Sequence, residues 1–232
     1  MTKTEVIRYL QDNQDPRGIA HWKAHADKSG GLKSYGIGLT RLRKFAKTIG
    51  RDAQLAKRLW SSDIYEARIV SLLIDDPKSM TLEQAESQVE QLQGGYLAHV
   101  FSSCDATLAK APFVRDLMET WIRSKDPVRR RCGYGLLYEI SKWKTKKAPD
   151  DAAFLAYLEQ IEKRFPKESI NELVALGGAV MGIGMRNRKL NRAAVRVARK
   201  IGPIDFDPSG RCDPMDVTAR LTSDSVTRRL NA

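Results

Sequence analysis

The chain of 232 residues contains few cysteines, and none of them has the spacing of a metal ligand. Cys104, Cys132 and Cys212 are too few and too far apart for a disulfide scaffold. Neither a Cys-x-x-Cys nor a His-x-x-His spacing offers a zinc site. We therefore expect a protein without structural disulfides, metal or cofactor.

Long hydrophobic runs are also missing. No stretch approaches the roughly eighteen apolar residues of a membrane span, and Lys3, Glu5 and Arg8 stand where a signal peptide would need its apolar core. Apolar residues make up 42% of the chain and charged residues 29%, which is typical of a soluble globular protein. We expect a cytoplasmic protein with no membrane partner.

Acidic residues are in deficit, because 28 Asp and Glu stand against 40 Lys and Arg, a net charge of +12. This balance favours an anionic partner, with nucleic acid first. Two segments hold most of the excess, residues 123–147 and 185–200, and each has a local charge of +7. These segments are interpreted either as solvated surfaces or as the lining of a groove that follows phosphates.

The basic residues of the two segments are Arg123, Lys125, Arg129, Arg130, Arg131, Lys142, Lys144, Lys146 and Lys147 in the first, and Arg186, Arg188, Lys189, Arg192, Arg196, Arg199 and Lys200 in the second. From the second segment we predict DNA contacts by Arg186, Arg188 and Lys189.

Apolar residues recur three and four positions apart, and no segment alternates convincingly with period two, so we predict an all-α protein. In residues 39–49, for example, Leu42, Phe45 and Ala46 share one helix face, and Gly50 ends the helix. Asp63 with Glu66, and Thr81 with Gln84, have the spacing of capping boxes.

Helices are predicted near residues 39–49, 52–60, 63–74, 81–91, 96–109, 113–123, 127–143, 151–164, 168–184 and 189–201. Because their linkers are short, these helices must bury their apolar stripes on each other. We predict an α-solenoid, a curved stack of helix pairs over residues 1–202 whose basic segments line a concave groove, and an orthogonal bundle stays open. Residues 203–232 contain prolines and glycines and are predicted to form an irregular tail, with a helix at most over 215–221.

Several short motifs follow one another in a recognisable order over roughly residues 30–202. They are Tyr35-Gly36-Ile37, Leu42-Arg43, Ala46-Lys47, Ile49-Gly50, Leu59-Trp60-Ser61-Ser62, Glu66-Ala67-Arg68, Phe101-Ser102-Ser103-Cys104-Asp105, Trp121, Ser124, Val128-Arg129-Arg130-Arg131, Ile183-Gly184, Arg186-Asn187 and Leu190. Their order resembles the AlkD-like DNA alkylation repair family, the HEAT-like repeat DNA glycosylases. This resemblance implies a HEAT-like or ARM-like α-solenoid of stacked antiparallel helix pairs.

This resemblance implies a concave basic surface that binds duplex DNA and an enzyme that hydrolyses the N-glycosidic bond of N3- or N7-alkylated purines without a metal. Asp105 matches the family's acid, whose carboxylate stabilises the cationic sugar and orients a water molecule. Arg131 matches the arginine that holds a phosphate near the lesion, and Arg129 and Arg130 are neighbours that could share this contact.

The chain departs from the family at the two tryptophans that contact the deoxyribose. Phe101 stands at the first position and Gly178 at the second, and Ser102 replaces a common acid. Three functions therefore stay open: a monomeric glycosylase that depends on Asp105, a DNA-binding HEAT protein for damaged, bent or branched DNA with little or no catalysis, and a helical scaffold for an acidic protein.

Overall fold

A computed structural model describes residues 1–24, 29–93, 95–103, 106–207, 210 and 212–231. In that part of the chain the regular structure is helical, with isolated bridges only, at Lys33–Ile64 and Ile204–Met215. The all-α prediction is therefore confirmed. The contacts divide the chain into two compact units, unit 1 (Met1–Val114) and unit 2 (Arg115–Ala232). The prediction of one domain over residues 1–202 stays a prediction.

The described residues of unit 1 form seven α-helices and a 3-10 helix, Leu108–Lys110. The α-helices are α1 (Lys3–Asp12), α2 (Pro16–Ala24), α3 (Leu39–Ile49), α4 (Ala53–Trp60), α5 (Tyr65–Ile74), α6 (Leu82–Val89) and α7 (Leu97–Ser102).

Helix α3 has the bounds that its periodicity predicts. Leu42, Phe45 and Ala46 are buried, and Gly50 ends the helix with a φ of 77°, a conformation that glycine adopts without strain. The predicted helix over 96–109 is shorter, since α7 ends at Ser102.

Helices α1 and α2 were not predicted. The sequence does carry a start signal for α1, because the Thr2 hydroxyl accepts from the Glu5 amide while the Glu5 carboxylate accepts from the Thr2 amide. Val6 and Leu10, one turn apart on α1, are fully buried. A capping box followed by two apolar residues at helical spacing would have been sufficient to predict this helix.

Glu66 of α5 is fully buried and holds the loop that precedes α3. Its carboxylate accepts hydrogen bonds from the Ser34 hydroxyl at 2.6 Å, the Tyr35 amide at 3.0 Å and the Ile37 amide at 3.2 Å. The predicted capping box of Asp63 and Glu66 is therefore wrong, because Glu66 serves a distant loop and α5 has no side-chain cap.

Arg68 lies in the same motif as Glu66 and also has a structural place. Its Nε donates to the Ser62 carbonyl at 2.9 Å, and its guanidinium lies 5.3 Å from the centre of the Trp60 ring. The burial of this group lowers the pKa of Arg68. The motif residues of unit 1 thus join α4, α5 and the loop before α3.

Unit 2 contains the remaining α-helices and a 3-10 helix, Phe165–Lys167. The α-helices are α8 (Val114–Ile122), α9 (Pro127–Ser141), α10 (Asp151–Arg164), α11 (Ile170–Gly184), α12 (Arg188–Ile201), α13 (Val217–Leu221) and α14 (Asp224–Asn231). Helix α9 begins as predicted, with Asp126 as its cap and Pro127 in its first turn.

Glycines allow α11 to approach its neighbours closely. A Cβ at Gly182 would lie 2.2 Å from the Ser141 Oγ of α9, and a Cβ at Gly184 would lie 2.8 Å from Ala194 of α12. Gly178 differs, because a Cβ there would meet no atom of the described residues within 4 Å. Close packing explains Gly182 and Gly184 but not Gly178.

The segment predicted as an irregular tail contains two short helices, α13 and α14. Val217 and Leu221 of α13 and Val226 of α14 are buried, so both helices pack within unit 2. Helix α13 corresponds to the helix that was expected over 215–221, and the described residues between α12 and α13 are irregular as expected, whereas α14 was not predicted. No helix among the described residues is both long and apolar enough to cross a membrane.

We predict opposite effects of alanine at two glycines of α11. Gly178→Ala should raise the free energy of unfolding by about 0.5–1 kcal/mol, because alanine restricts the unfolded chain and the site is open. Gly182→Ala should lower it by about 1–2 kcal/mol, because its Cβ would collide with Ser141. Urea unfolding of both variants measures the difference, and a stabilised Gly182→Ala would contradict this packing.

Candidate nucleic-acid interface

Helix α12 carries the most strongly basic exposed face among the described helices of unit 2. One side of the helix is buried through Leu190, Ala193, Ala194, Val197 and Ala198. The other side, here named the α12 stripe, consists of exposed cations at Arg188, Lys189, Arg192, Arg196, Arg199 and Lys200. The helix contains no acidic residue, and Lys200 forms an ion pair with Glu162 of α10. Arg188 and Lys189, which were predicted as DNA contacts, lie at the start of this stripe.

Helix α14 is held beside the start of the α12 stripe by two arginines. The Nε of Arg188 donates to the Leu230 carbonyl at 3.1 Å, and the Nη2 of Arg229 donates to the Met185 carbonyl at 2.8 Å. A cavity of about 530 Å³ is lined by Arg188, Lys189, Arg192 and Arg229, with Asp151 as its acidic residue. Arg229 was not predicted as a site residue, because its segment was expected to be irregular.

Arg186 has a structural task that its sequence context does not reveal. Its Nη1 donates to the carbonyls of Ser141 at 2.5 Å and Trp143 at 2.9 Å, at the C-terminal end of α9. Its guanidinium also lies 4.5 Å from the centre of the Phe154 ring. One nitrogen of the Arg186 guanidinium is therefore already hydrogen-bonded to two carbonyls. A DNA contact by Arg186 stays a prediction.

The three consecutive arginines of α9 have different surroundings. Arg130 is 7% exposed, and its Nε and Nη2 donate to the buried carboxylate of Glu168 at 2.8–3.0 Å. Its Nη1 donates to the carbonyl of Lys125 at 2.8 Å. The prediction that Arg130 shares a phosphate contact is therefore corrected, because its guanidinium is buried and already paired.

Glu168 gathers further donors around this ion pair. The Tyr134 hydroxyl lies 3.3 Å from one carboxylate oxygen, and the Arg164 Nε donates to the same oxygen at 3.1 Å. Burial, followed by the adjacent charge of Glu168, raises the pKa of the Tyr134 hydroxyl. The network joins α9, the end of α10 and the loop before α11.

Arg129 and Arg131 are more accessible than Arg130. Arg129 is half-buried and pairs with Asp126 at 3.2 Å. Arg131 is also half-buried, and no hydrogen bond or ion pair joins it to another described residue. Both stay predicted phosphate contacts, and Arg131 has the more available guanidinium.

The structure does not bring a catalytic constellation together among the described residues. Phe101 is 1% exposed at the end of α7, so the prediction that its ring contacts a deoxyribose is corrected. Ser102 is also buried and donates to the Ala98 carbonyl at 2.7 Å. Asp105, the predicted catalytic acid, lies outside the described residues. Gly178 leaves open space where the resemblance implies an aromatic ring.

Comparison with known proteins identifies the fold. Residues 6–199 match the model of a family described as DNA alkylation repair enzyme. A solved structure of a protein from a new family related to the HEAT-like repeat DNA glycosylases, with affinity for branched DNA structures, covers 99% of this chain and 96% of its own. The TM-score is 0.81 and the identity 17%, so this likeness establishes the HEAT-like fold alone. No curated protein matches the chain.

We predict that neighbouring arginines of α9 differ sharply in their effect on stability. Arg130→Gln should lower the free energy of unfolding by about 3 kcal/mol, because it leaves the carboxylate of Glu168 buried with fewer donors. Arg131→Gln should change it by less than about 0.5 kcal/mol. Denaturant unfolding of the two variants tests this, and equal stability would argue against the network around Glu168.

Proposed function

The chain belongs to the DNA alkylation repair enzyme family, and we propose that it binds the phosphate backbone of double-stranded DNA as a cytoplasmic monomer. The observation that carries the proposal is the α12 stripe, a row of exposed cations on a helix without a single acidic residue. Each phosphate that such a row neutralises releases condensed counterions, and this release favours binding.

The α12 stripe favours nucleic acid over an acidic protein partner. A protein interface needs apolar residues at its centre. The exposed large apolar residues of the described chain are scattered over Met1, Tyr9, Leu82, Tyr96, Ile170 and Phe206, and none belongs to α12. A row of cations without apolar neighbours is suited to phosphates and carries no base-specific recognition by itself.

We predict that the α12 stripe determines the salt dependence of DNA binding. Replacing Lys189, Arg192 and Arg196 together by Gln should reduce the slope of log K against log salt by about 3, because each lost phosphate contact removes roughly 0.9. None of the three side chains forms a hydrogen bond with the described residues, so the fold should be retained. Fluorescence anisotropy with a labelled duplex at several salt concentrations measures the slope.

The matched control replaces Lys163, Lys167 and Arg228 by Gln, which removes the same charge from exposed positions of unit 2 outside the α12 stripe. We expect this control to change the slope by less than about 1. An equal loss in the two triple variants would mean that net charge, rather than the α12 stripe, sets the affinity, and would contradict the proposal.

Hydrolysis of the glycosidic bond of cationic N3- or N7-alkylated purines is the second candidate function. The family match favours it, together with the presence of Asp105 in the motif that carries the family's acid. Alkylation makes the purine a good leaving group, so one carboxylate beside the sugar supplies the required stabilisation. Phe101 is buried and Gly178 has no side chain, so aromatic contacts with the sugar are reduced.

We predict slow release of methylated purine that depends on Asp105. A cation–π contact contributes about 0.5–2 kcal/mol, so each lost ring slows turnover about 2- to 30-fold. Asp105→Asn should abolish release, and Gly178→Trp should increase it, because the position is open. The measurement is chromatography of free base from N-methylated duplex at matched DNA occupancy, with Gly178→Leu as the control for added bulk.

Absence of release from the parent and from Gly178→Trp, with DNA binding intact, would contradict glycosylase activity and leave DNA binding as the function. In that case, a comparison of duplex with a four-way junction of equal length would test a preference for branched DNA. Such affinity is described for the structural neighbour.

A further inference from the structure

Among the described residues, a cavity of about 460 Å³ in unit 1 is lined by four cations and by no carboxylate. Arg43 and Lys47 lie one turn apart on α3, Arg51 follows that helix, and Lys110 ends the 3-10 helix. Ala46 and Leu73 supply apolar surface in the same cavity. Like charges that share one space repel each other unless an anion lies between them.

Arg51 is fixed in this cavity by one of its nitrogens. Its Nη1 donates to the Leu73 carbonyl at 3.0 Å, the Asp75 carbonyl at 2.7 Å and the Thr107 hydroxyl at 2.7 Å. Its Nε and Nη2 form no hydrogen bond with the described residues. A guanidinium held in this way loses little conformational freedom when its other edge binds a ligand.

Arg43 supplies an independent indication of an anion-binding site. The Nη2 of Arg43 is buried and has no hydrogen-bond partner among the described residues. A charged donor that is buried without a hydrogen-bond acceptor lowers the stability of the folded protein. Native proteins rarely contain such an unpaired buried donor. An acceptor bound in the cavity would pair with this nitrogen.

The acidic residue beside Arg51 is engaged elsewhere. The carboxylate of Asp75 accepts from the Gln84 side chain at 2.7 Å and from the Asp76 amide at 2.8 Å, and Asp75 does not line the cavity. Among the described lining residues, therefore, no carboxylate balances the positive charge of these four side chains.

We infer that this cavity is a phosphate-binding site, formed by Arg43, Lys47, Arg51 and Lys110. A phosphate group carries several strong acceptors and matches both the fixed guanidinium of Arg51 and the unpaired Nη2 of Arg43. Lys47, Gly50, Arg51 and Lys110 are exposed, so a phosphate group enters from solvent. The site contains none of the residues of the α12 stripe, so it can be tested separately from the proposed function.

The test is a titration of the full chain with inorganic phosphate at constant ionic strength, followed by amide NMR at Gly50 and Arg51. Lys47→Gln and Arg43→Gln should each raise the dissociation constant about tenfold, because each removes a charge-assisted hydrogen bond. Lys44→Gln is the matched control, an exposed lysine of the same helix outside the cavity. It should change the constant less than twofold.

A second titration, with duplex DNA, distinguishes two sources of the phosphate. If DNA displaces inorganic phosphate and Lys47→Gln weakens DNA binding more than Lys44→Gln, the occupant is a backbone phosphate. If DNA leaves the phosphate signals unchanged, the occupant is a small phosphorylated molecule. Either result supports the site.

Two outcomes would overturn the inference. One is a titration in which inorganic phosphate leaves the amides of Gly50 and Arg51 unshifted in the parent chain. The other is an equal loss of affinity in Lys44→Gln and Lys47→Gln, which would indicate unspecific attraction to a basic surface. Neither outcome bears on the salt slope of the α12 variants, so the two proposals fail separately.

Discussion

A buried glutamate carboxylate organises each of the two units. A carboxylate removed from water is tolerated only when donors surround it, so its position fixes the segments that supply them. Glu66 orders the loop before α3 through one hydroxyl and two backbone amides. Glu168 orders the N-terminal half of α9 through Arg130 and Tyr134, and the C-terminal end of α10 through Arg164. The apolar helix faces drive the collapse of each unit, while these carboxylates decide how the loops between the helices are placed.

Positive charge alone does not identify the binding residues, because several cations form hydrogen bonds that stabilise the fold. Arg68, Arg130 and Arg186 each donate to carbonyls or carboxylates of their own unit, and their guanidinium groups serve the fold. The α12 stripe differs, because its side chains lie on the exposed side of a helix whose other side is buried. Many family-like motif residues therefore maintain the scaffold. The α12 stripe consists of exposed cations, and Lys189, Arg192 and Arg196 at its centre form no hydrogen bond with the described residues.

Helical periodicity was sufficient to predict most of the fold. Helices α3 and α10 have the predicted bounds, and the HEAT-like arrangement is confirmed by the structural comparison. The site was less predictable, because burial depends on partners that are distant in the chain. Arg130 resembles its neighbours in the sequence. Its guanidinium is nevertheless buried, because it forms hydrogen bonds with Glu168, which lies 38 residues away in the chain. The ring of Phe101 was assigned to a sugar by resemblance, but the packing of α7 buries it.

The same long separations bear on how the chain folds. The donors of Glu66 are 29–32 residues away from it, and those from α9 to Glu168 are 34–38 residues away. Neither carboxylate can give up its hydration shell before the intervening helices have closed a loop of that length, which costs chain entropy. We therefore expect these hydrogen bonds to form late in folding. Both partners of each bond lie in one unit, so we expect a substitution at Glu66 to delay a loop closure of unit 1 and one at Glu168 to delay a loop closure of unit 2.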